Sequence, residues 1–358
     1  MFYCSKCGTE YSAVQYACGK CGSVLLCDYE QRSWLPIGFG VWRYQSMIPV
    51  QRSISLNEGG TPLVKRRDTN DNVYLKLEGD NPTGSFKDRG TTVVVSNAFN
   101  RKFKRATVAS TGNMGASVAA YCAYANIHAK VFIPKDVTQE KIAQIGAYGA
   151  ELVKVKGTFY DAVQASIREV RDNRTYLAAT GLNPYFLEGV KTIGFELFEQ
   201  MRGVPDKIIV PMGSGGMITA IYKAFLELKK LKRIKTLPQM VGVQATGCSP
   251  IATAWEKGSA IVPVHNPKTI ASAIMVKVPY NGYTAIDAVN HSKGECVRVN
   301  DHQIIQAIKE LGREGVFAEP AAAASLAGLK KIDYSKDEKI ALIISGSGLK
   351  DPTALIRG

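Results

Sequence analysis

From residue 73 onward, short apolar runs alternate with stretches whose apolar positions recur at helical spacing. Candidate strands are VYLKL (73–77), ATVAS (106–110), KVFIP (130–134), ELVKV (151–155), KIIVP (207–211), QMVGVQA (239–245) and IALIIS (340–345). Helical periods fall between them at 86–99, 113–126, 138–148, 160–172, 187–202, 216–230, 301–313 and 320–331. This alternation predicts an α/β protein with parallel-rich sheets. Upstream the pattern fades. Residues 31–58 carry Trp34, Trp42 and Tyr44 without a clear period, and read as a connecting arm that packs on another surface or subunit.

In such sheets ligands bind where strands end and helices begin. Three glycine-rich stretches stand at those points: ASTGNMGAS (109–117), PMGSGGMITA (211–220) and SGSGLKDP (345–352). At the first, Ser110, Thr111 and Gly112 precede a helix head that suits a carboxylate or phosphate. The second lacks the spacings of a dinucleotide or P-loop turn. Its amides from Gly213 through Ser214, Gly215 and Gly216 to Met217 make a cradle for one phosphate monoester. The third offers Ser345 as a hydroxyl partner. A fourth stretch, NPTGSFKDRG (81–90), places Lys87 at a helix start among small residues, where a lysine works as an amine. Together these parts answer to pyridoxal 5'-phosphate (PLP), which needs a Schiff-base lysine, a phosphate cradle, a partner for its pyridine nitrogen and a grip for an amino-acid carboxylate.

Composition narrows the setting. No apolar run approaches the ~20 residues of a membrane span, and MFYCSKCG is not a secretory leader, so the chain reads as cytoplasmic with no membrane partner. The net charge of +14 admits nucleic acid, but the basic residues are dispersed and lack an aromatic platform; solvated surface is the reading, with no nucleic-acid partner. Five of the eight cysteines lie in the first thirty residues. Cys4-x2-Cys7, ten residues, then Cys18-x2-Cys21 is a ligand set for structural Zn²⁺, with Gly8 and Gly22 allowing the tight knuckles. So short a segment is expected to draw its folding energy from the metal, on the order of 10 kcal/mol. Cys27 is left for packing, and Glu188 and Lys191, three apart, read as a surface pair.

These motifs run in register along the whole chain, and with GGTPLVK (59–65), NPYFLEGVKTIGFEL (183–197) and EPAAAASLAGL (319–329) the sequence resembles the threonine synthases, within the tryptophan synthase β-like PLP enzymes. The resemblance implies fold type II, two three-layer αβα domains plus the amino-terminal zinc ribbon. The implied boundaries are a ribbon at 1–30, the arm at 31–58, a large PLP-binding domain at 59–97 and 181–358, and a small substrate domain at 98–180, with the cofactor in the cleft. It implies that Lys87 binds PLP and moves protons, Asn113 bonds the ring hydroxyl oxygen, Gly213–Met217 hold the phosphate and Ser345 faces the pyridine nitrogen. Ser110, Thr111 and Gly112 would take the substrate carboxylate. The implied reaction converts O-phospho-L-homoserine and water to L-threonine and phosphate in a homodimeric enzyme.

The chain also departs from the family. Phe186 replaces an arginine that helps hold the substrate phosphate, Thr180 and Gly181 replace polar partners, Met114 stands where a hydroxyl is common, and Met217 where asparagine is usual. Lys191, Lys135 or Lys277 are the candidates to compensate. A second reading stays open: a sister PLP lyase using phosphoserine in β-replacement, such as a cysteate synthase, or a threonine/serine dehydratase.

Overall fold

The computed structural model describes residues 1–29, 33–67, 71–135, 137 and 139–352. The ribbon–arm border at residues 30–32 and the expected helix start at 138 lie outside the described residues. The chain forms two compact units: residues 1–59, 81–83 and 87–190, and residues 60–80, 84–86 and 191–358.

The first unit holds a parallel sheet in the order 151–155, 128–134, 105–109, 176–177. The central residues of its inner strands, Ala106–Val108 and Val131–Ile133, are buried on both faces, as a parallel sheet covered by helices requires. The helices Asn113–Tyr124 and Phe159–Asn173 follow their strands, the latter opened by a Thr158–Asp161 capping box. This unit is larger than the expected 98–180. It also takes in the ribbon, the arm, helix Lys87–Asn100 and helix Pro184–Val190.

The reason is packing on the Lys87 helix. Trp42 Nε1 donates to Thr92 Oγ1 at 3.0 Å, Thr92 Oγ1 donates to the Ile54 carbonyl at 2.6 Å, and Val41, Trp42, Ile48 and Val50 cluster with Val93. The arm therefore covers a surface of its own chain. At the amino terminus a three-stranded antiparallel sheet in the order 10–11, 2–4, 25–27 encloses Phe2, Cys4, Cys18, Leu25 and Cys27. Cys27 is packing, as its lone position suggested. The edge of Phe2 meets Tyr185 on the Pro184 helix, ring centroids 5.6 Å apart.

The second unit is built on a six-stranded sheet in the order 295–299, 239–245, 207–211, 340–344, 73–77, 63–65. All neighbours are parallel except the edge strand 63–65. KIIVP and IALII are buried at every position, which is why they read as continuous apolar runs. The expected helix at 187–202 divides into Pro184–Val190 and Thr192–Gln200. Lys191 keeps helical dihedrals at φ −59, ψ −21, so the period runs through a break where the Gly194 N–H turns back to the Lys191 carbonyl. Helices Pro250–Lys257 and Gly282–His291 and strand Glu295–Val299 were not foreseen.

Candidate cofactor site

Lys87 opens its helix directly after an anchored turn. The Phe86 N–H donates to the Ser345 carbonyl at 3.0 Å, the Ser347 N–H to Gly84 at 2.9 Å, and Ser85 bridges Gly346. The base of the helix is held by Asp88, whose carboxylate accepts from the Thr83 N–H, the Thr83 hydroxyl and the Ser117 hydroxyl, each at 2.6 Å. Burial pushes the Asp88 carboxyl up to about 6 against the pull of these donors. Half-buried Lys87 itself places its Nζ 5.7 Å from the centre of the Phe186 ring.

Phe186 is buried, and its ring lies where a side chain on Gly90 would have to go. The position that the resemblance assigns to a phosphate-holding arginine is thus an apolar wall beside Lys87. Of the candidates to compensate, Lys191 is fully buried and bonded to Glu227 at 3.0 Å, whereas Lys135 and Lys277 are exposed. The expected surface setting of Glu188 and Lys191 is corrected: both are buried, and Glu188 accepts a hydrogen bond from the Tyr29 hydroxyl at 2.9 Å. The apolar residues around them in NPYFLEGVKTIGFEL pack on both sides of the helices, leaving no surface face.

At the second turn, strand Arg105–Ala109 ends and Ser110, Thr111 and Gly112 lead into the Asn113 helix. The Gly112 N–H reaches Ser110 Oγ at 3.3 Å. Glycine at the cap position brings no side chain to the first amides, and a Cβ on Gly112 would meet nothing within 4 Å. Asn113 and Met114 are buried at the helix head, while Ser110, Thr111 and Gly112 stay accessible. That arrangement leaves donors open to an anionic group.

The third turn joins strand Lys207–Pro211 to helix Gly216–Lys230. Gly215 sits at φ +88, and a Cβ there would strike the Asn281 carbonyl and Ala285. A Cβ on Gly213 would press on Val276 and the Ala273 carbonyl. Below the turn, Gln244 donates to the Met212 carbonyl at 3.2 Å and accepts the Ile251 and Ala252 N–H groups at 2.9 Å. A glycine-rich loop of amides at a helix head fits a phosphate monoester. Ser345 is buried at the end of its strand, its hydroxyl donating to Glu319 at a long 3.5 Å. Glu319 carried no expectation, although it heads helix Pro320–Leu329 within a motif already noted.

The ribbon brings Cys4, Cys7, Cys18 and Cys21 together, with all four sulfurs within 4.8 Å of one another. Cys4–Cys21 is 3.4 Å, and Cys7–Cys18 and Cys7–Cys21 are 3.6 Å. Four sulfurs around tetrahedral Zn²⁺ at ~2.3 Å stand about 3.8 Å apart, so the donor set fits that ion.

Parallel-rich sheets with glycine turns at their strand ends are features that PLP enzymes use. The sequence profile of the pyridoxal-phosphate-dependent enzymes matches residues 54–346, and the chain belongs to that family. Threonine synthase from Methanocaldococcus jannaschii is 42% identical over 99% of this chain and 94% of its own length. The threonine synthase of Methanosarcina acetivorans is 41% identical over 99% and 93%. Among solved structures, the processed form of threonine deaminase isoform 2 from Solanum lycopersicum superposes with a TM-score of 0.73 at 23% identity, covering 93% of this chain and 98% of that one. That likeness bears on the fold.

Proposed function

We infer that this protein is a PLP-dependent threonine synthase, converting O-phospho-L-homoserine and water to L-threonine and phosphate. The observation that carries the reading is the end-to-end likeness to threonine synthases, 42% identity over 99% of the chain, with Lys87 at its helix head.

When bound, PLP supplies an electron sink next to the amino-acid α-carbon. In this reading Lys87 tethers the cofactor through its amine. The same amine would remove protons from the substrate's α- and β-carbons and return protons at the γ- and α-carbons, while phosphate leaves the γ-carbon, the water hydroxyl goes to the β-carbon and the water proton goes to the departing phosphate. Gly213, Ser214, Gly215, Gly216 and Met217 hold the cofactor phosphate. Asn113 orients the ring oxygen, and Ser345 meets the pyridine nitrogen with a neutral hydroxyl. Ser110, Thr111 and Gly112 bind the substrate carboxylate. With Lys191 committed to Glu227, the substrate phosphate is left to exposed cations such as Lys135 and Lys277. Cys4, Cys7, Cys18 and Cys21 hold a structural zinc ion. We place the enzyme in the cytoplasm as a homodimer, which light scattering on the eluted protein checks. Among the described residues, no helix is long and apolar enough to cross a membrane.

The test is direct. Purified protein is given O-phosphohomoserine or O-phosphoserine, and threonine, free phosphate and 2-oxo acid are assayed in each. Equal amounts of threonine and phosphate from the first substrate are expected, with Lys87→Ala inactive. Turnover of phosphoserine or hydroxy-amino acids without threonine would instead favour the sister lyase, the reading to which the apolar Phe186 wall points.

A further inference from the structure

Two helices of the first unit carry candidate site residues at their heads, Lys87–Asn100 and Asn113–Tyr124. Their opening turns are tied together by polar side chains. Ser117 stands four residues after Asn113, on the same face of its helix. The Ser117 hydroxyl donates to Asp88 Oδ1 at 2.6 Å, and Thr91 Oγ1, four residues after Lys87, lies 2.8 Å from that hydroxyl. The same carboxylate also reaches back along its own chain. Its Oδ2 accepts the Thr83 N–H and its Oδ1 the Thr83 hydroxyl, each at 2.6 Å, closing residues 83–88 into a loop that carries Lys87. Asp88, Thr91 and Ser117 are all fully buried.

As a source of stability this carboxylate is weak. Burial pushes it up to about 6, so at neutral pH the fold holds its charged form less well than water does. Apolar side chains of similar volume often join buried elements at least as strongly. What a carboxylate adds is direction. Three donors from two separate segments must meet two oxygens at short range, and a satisfied network of that kind specifies one register of the helices. A reacting amine needs such a register, because its target must be met to within about 0.5 Å. Lys87 is the adjacent residue, on the loop that the carboxylate closes.

We propose that Asp88 is the positioning residue of Lys87: its carboxylate ties the loop 83–88 to the Asn113 helix through Ser117, and so fixes the direction in which the lysine amine leaves its helix. This rests on the reading of the chain as a PLP enzyme with Lys87 as its lysine. Asp88 and Ser117 act through Lys87 and not by contact with the cofactor.

The test uses full-length protein stripped of cofactor. Capture of PLP, in which the Lys87 amine adds to the aldehyde and water leaves, is followed by visible absorbance and by circular dichroism of the cofactor band. Pyridoxamine 5'-phosphate, with an amine in place of the aldehyde, is the control ligand. Asp88→Asn keeps the shape but puts an amide NH₂ where one oxygen accepted. It is expected to slow capture of PLP about 10- to 100-fold and to alter the cofactor dichroism, at unchanged affinity for pyridoxamine phosphate. Ser117→Ala should slow capture in the same way, and the double variant no more than Asp88→Asn alone, since both cut one link. A purely structural role predicts losses that follow the unfolding midpoint, fall equally on both ligands and vanish well below it. That outcome would overturn the proposal, as would a wild-type capture rate and dichroism in the folded variants. Should Asp88→Asn not fold, Ser117→Ala decides by the same criteria. If wild-type protein gives no visible band with PLP, the underlying reading fails, and the inference with it.

Discussion

Asp88 follows Lys87 in sequence and is the most constrained carboxylate near it. It accepts three hydrogen bonds at 2.6 Å yet titrates at about 6, because burial outweighs the donors. An aspartate in the unfolded chain titrates near 3.9. The folded form therefore holds its proton more tightly, and this group's contribution to stability falls as pH rises from about 4 to about 6, then levels off. Between pH 4.5 and pH 7 the loss is on the order of 2 kcal/mol. Urea unfolding of the cofactor-free wild type and Asp88→Asn at both pH values isolates it, since the other titrating groups cancel. The stability of wild type relative to the variant should drop by that amount at pH 7; a difference that stays constant with pH would refute the assignment. At this scale, Lys87, Ser110 and the glycines of residues 213–216 were legible as candidates from residue type, and each lies where a strand ends or a helix begins. The tie from Asp88 to Ser117 was not, because a serine within a helix carries no sign of which carboxylate it will meet.

Helix against helix, the closest approach near Lys87 is at Gly189. A Cβ there would fall on the Arg89 carbonyl, which is backbone and cannot turn aside. Gly189→Ala is expected to cost about 2 kcal/mol or more by forcing the Pro184 and Lys87 helices apart. Gly312, inside helix Asp301–Arg313, has nothing within 4 Å of its Cβ position. Gly312→Ala should leave stability unchanged or raise it by up to about 1 kcal/mol. Thermal unfolding of the two variants measures both, and similar midpoints would show that the tight crossing is not a constraint. Element identity was largely legible: 207–211, 216–230, 239–245 and 301–313 form as their patterns indicate. The break at Lys191 was not, because its cause is a tertiary commitment. Lys191 bonds to Glu227, and Gly194 packs on Ala224.

In the first unit, the ribbon is joined to the elements around Lys87. Tyr185 packs on the ribbon's apolar cluster, Tyr29 bonds Glu188, and the Tyr16 hydroxyl accepts from the Leu177 N–H at 3.2 Å. Removing the metal that we assign to Cys4, Cys7, Cys18 and Cys21 should unfold the ribbon, whose apolar cluster is small. Elemental analysis is expected to find one zinc per chain. After chelation, hydrogen exchange should become fast over residues 2–27 and accelerate over 184–190, while strands 207–211 and 340–344 keep their protection. Unchanged exchange in the ribbon would mean that its packing holds without metal.

Period, turn chemistry and cysteine spacing by themselves determined the α/β class and marked the candidate lysine, the three glycine turns and the cysteine quartet. Each of these is written in neighbouring residues, as an apolar run, a glycine that only one backbone geometry uses, or two short cysteine pairs. Tertiary structure alone decided that the arm lies on the Lys87 helix, that Phe186 walls the lysine, that Lys191 is spent on Glu227 and that Asp88 is tied to Ser117. Those facts depend on residues far apart in the chain meeting in space, and burial and pairing are properties of the meeting.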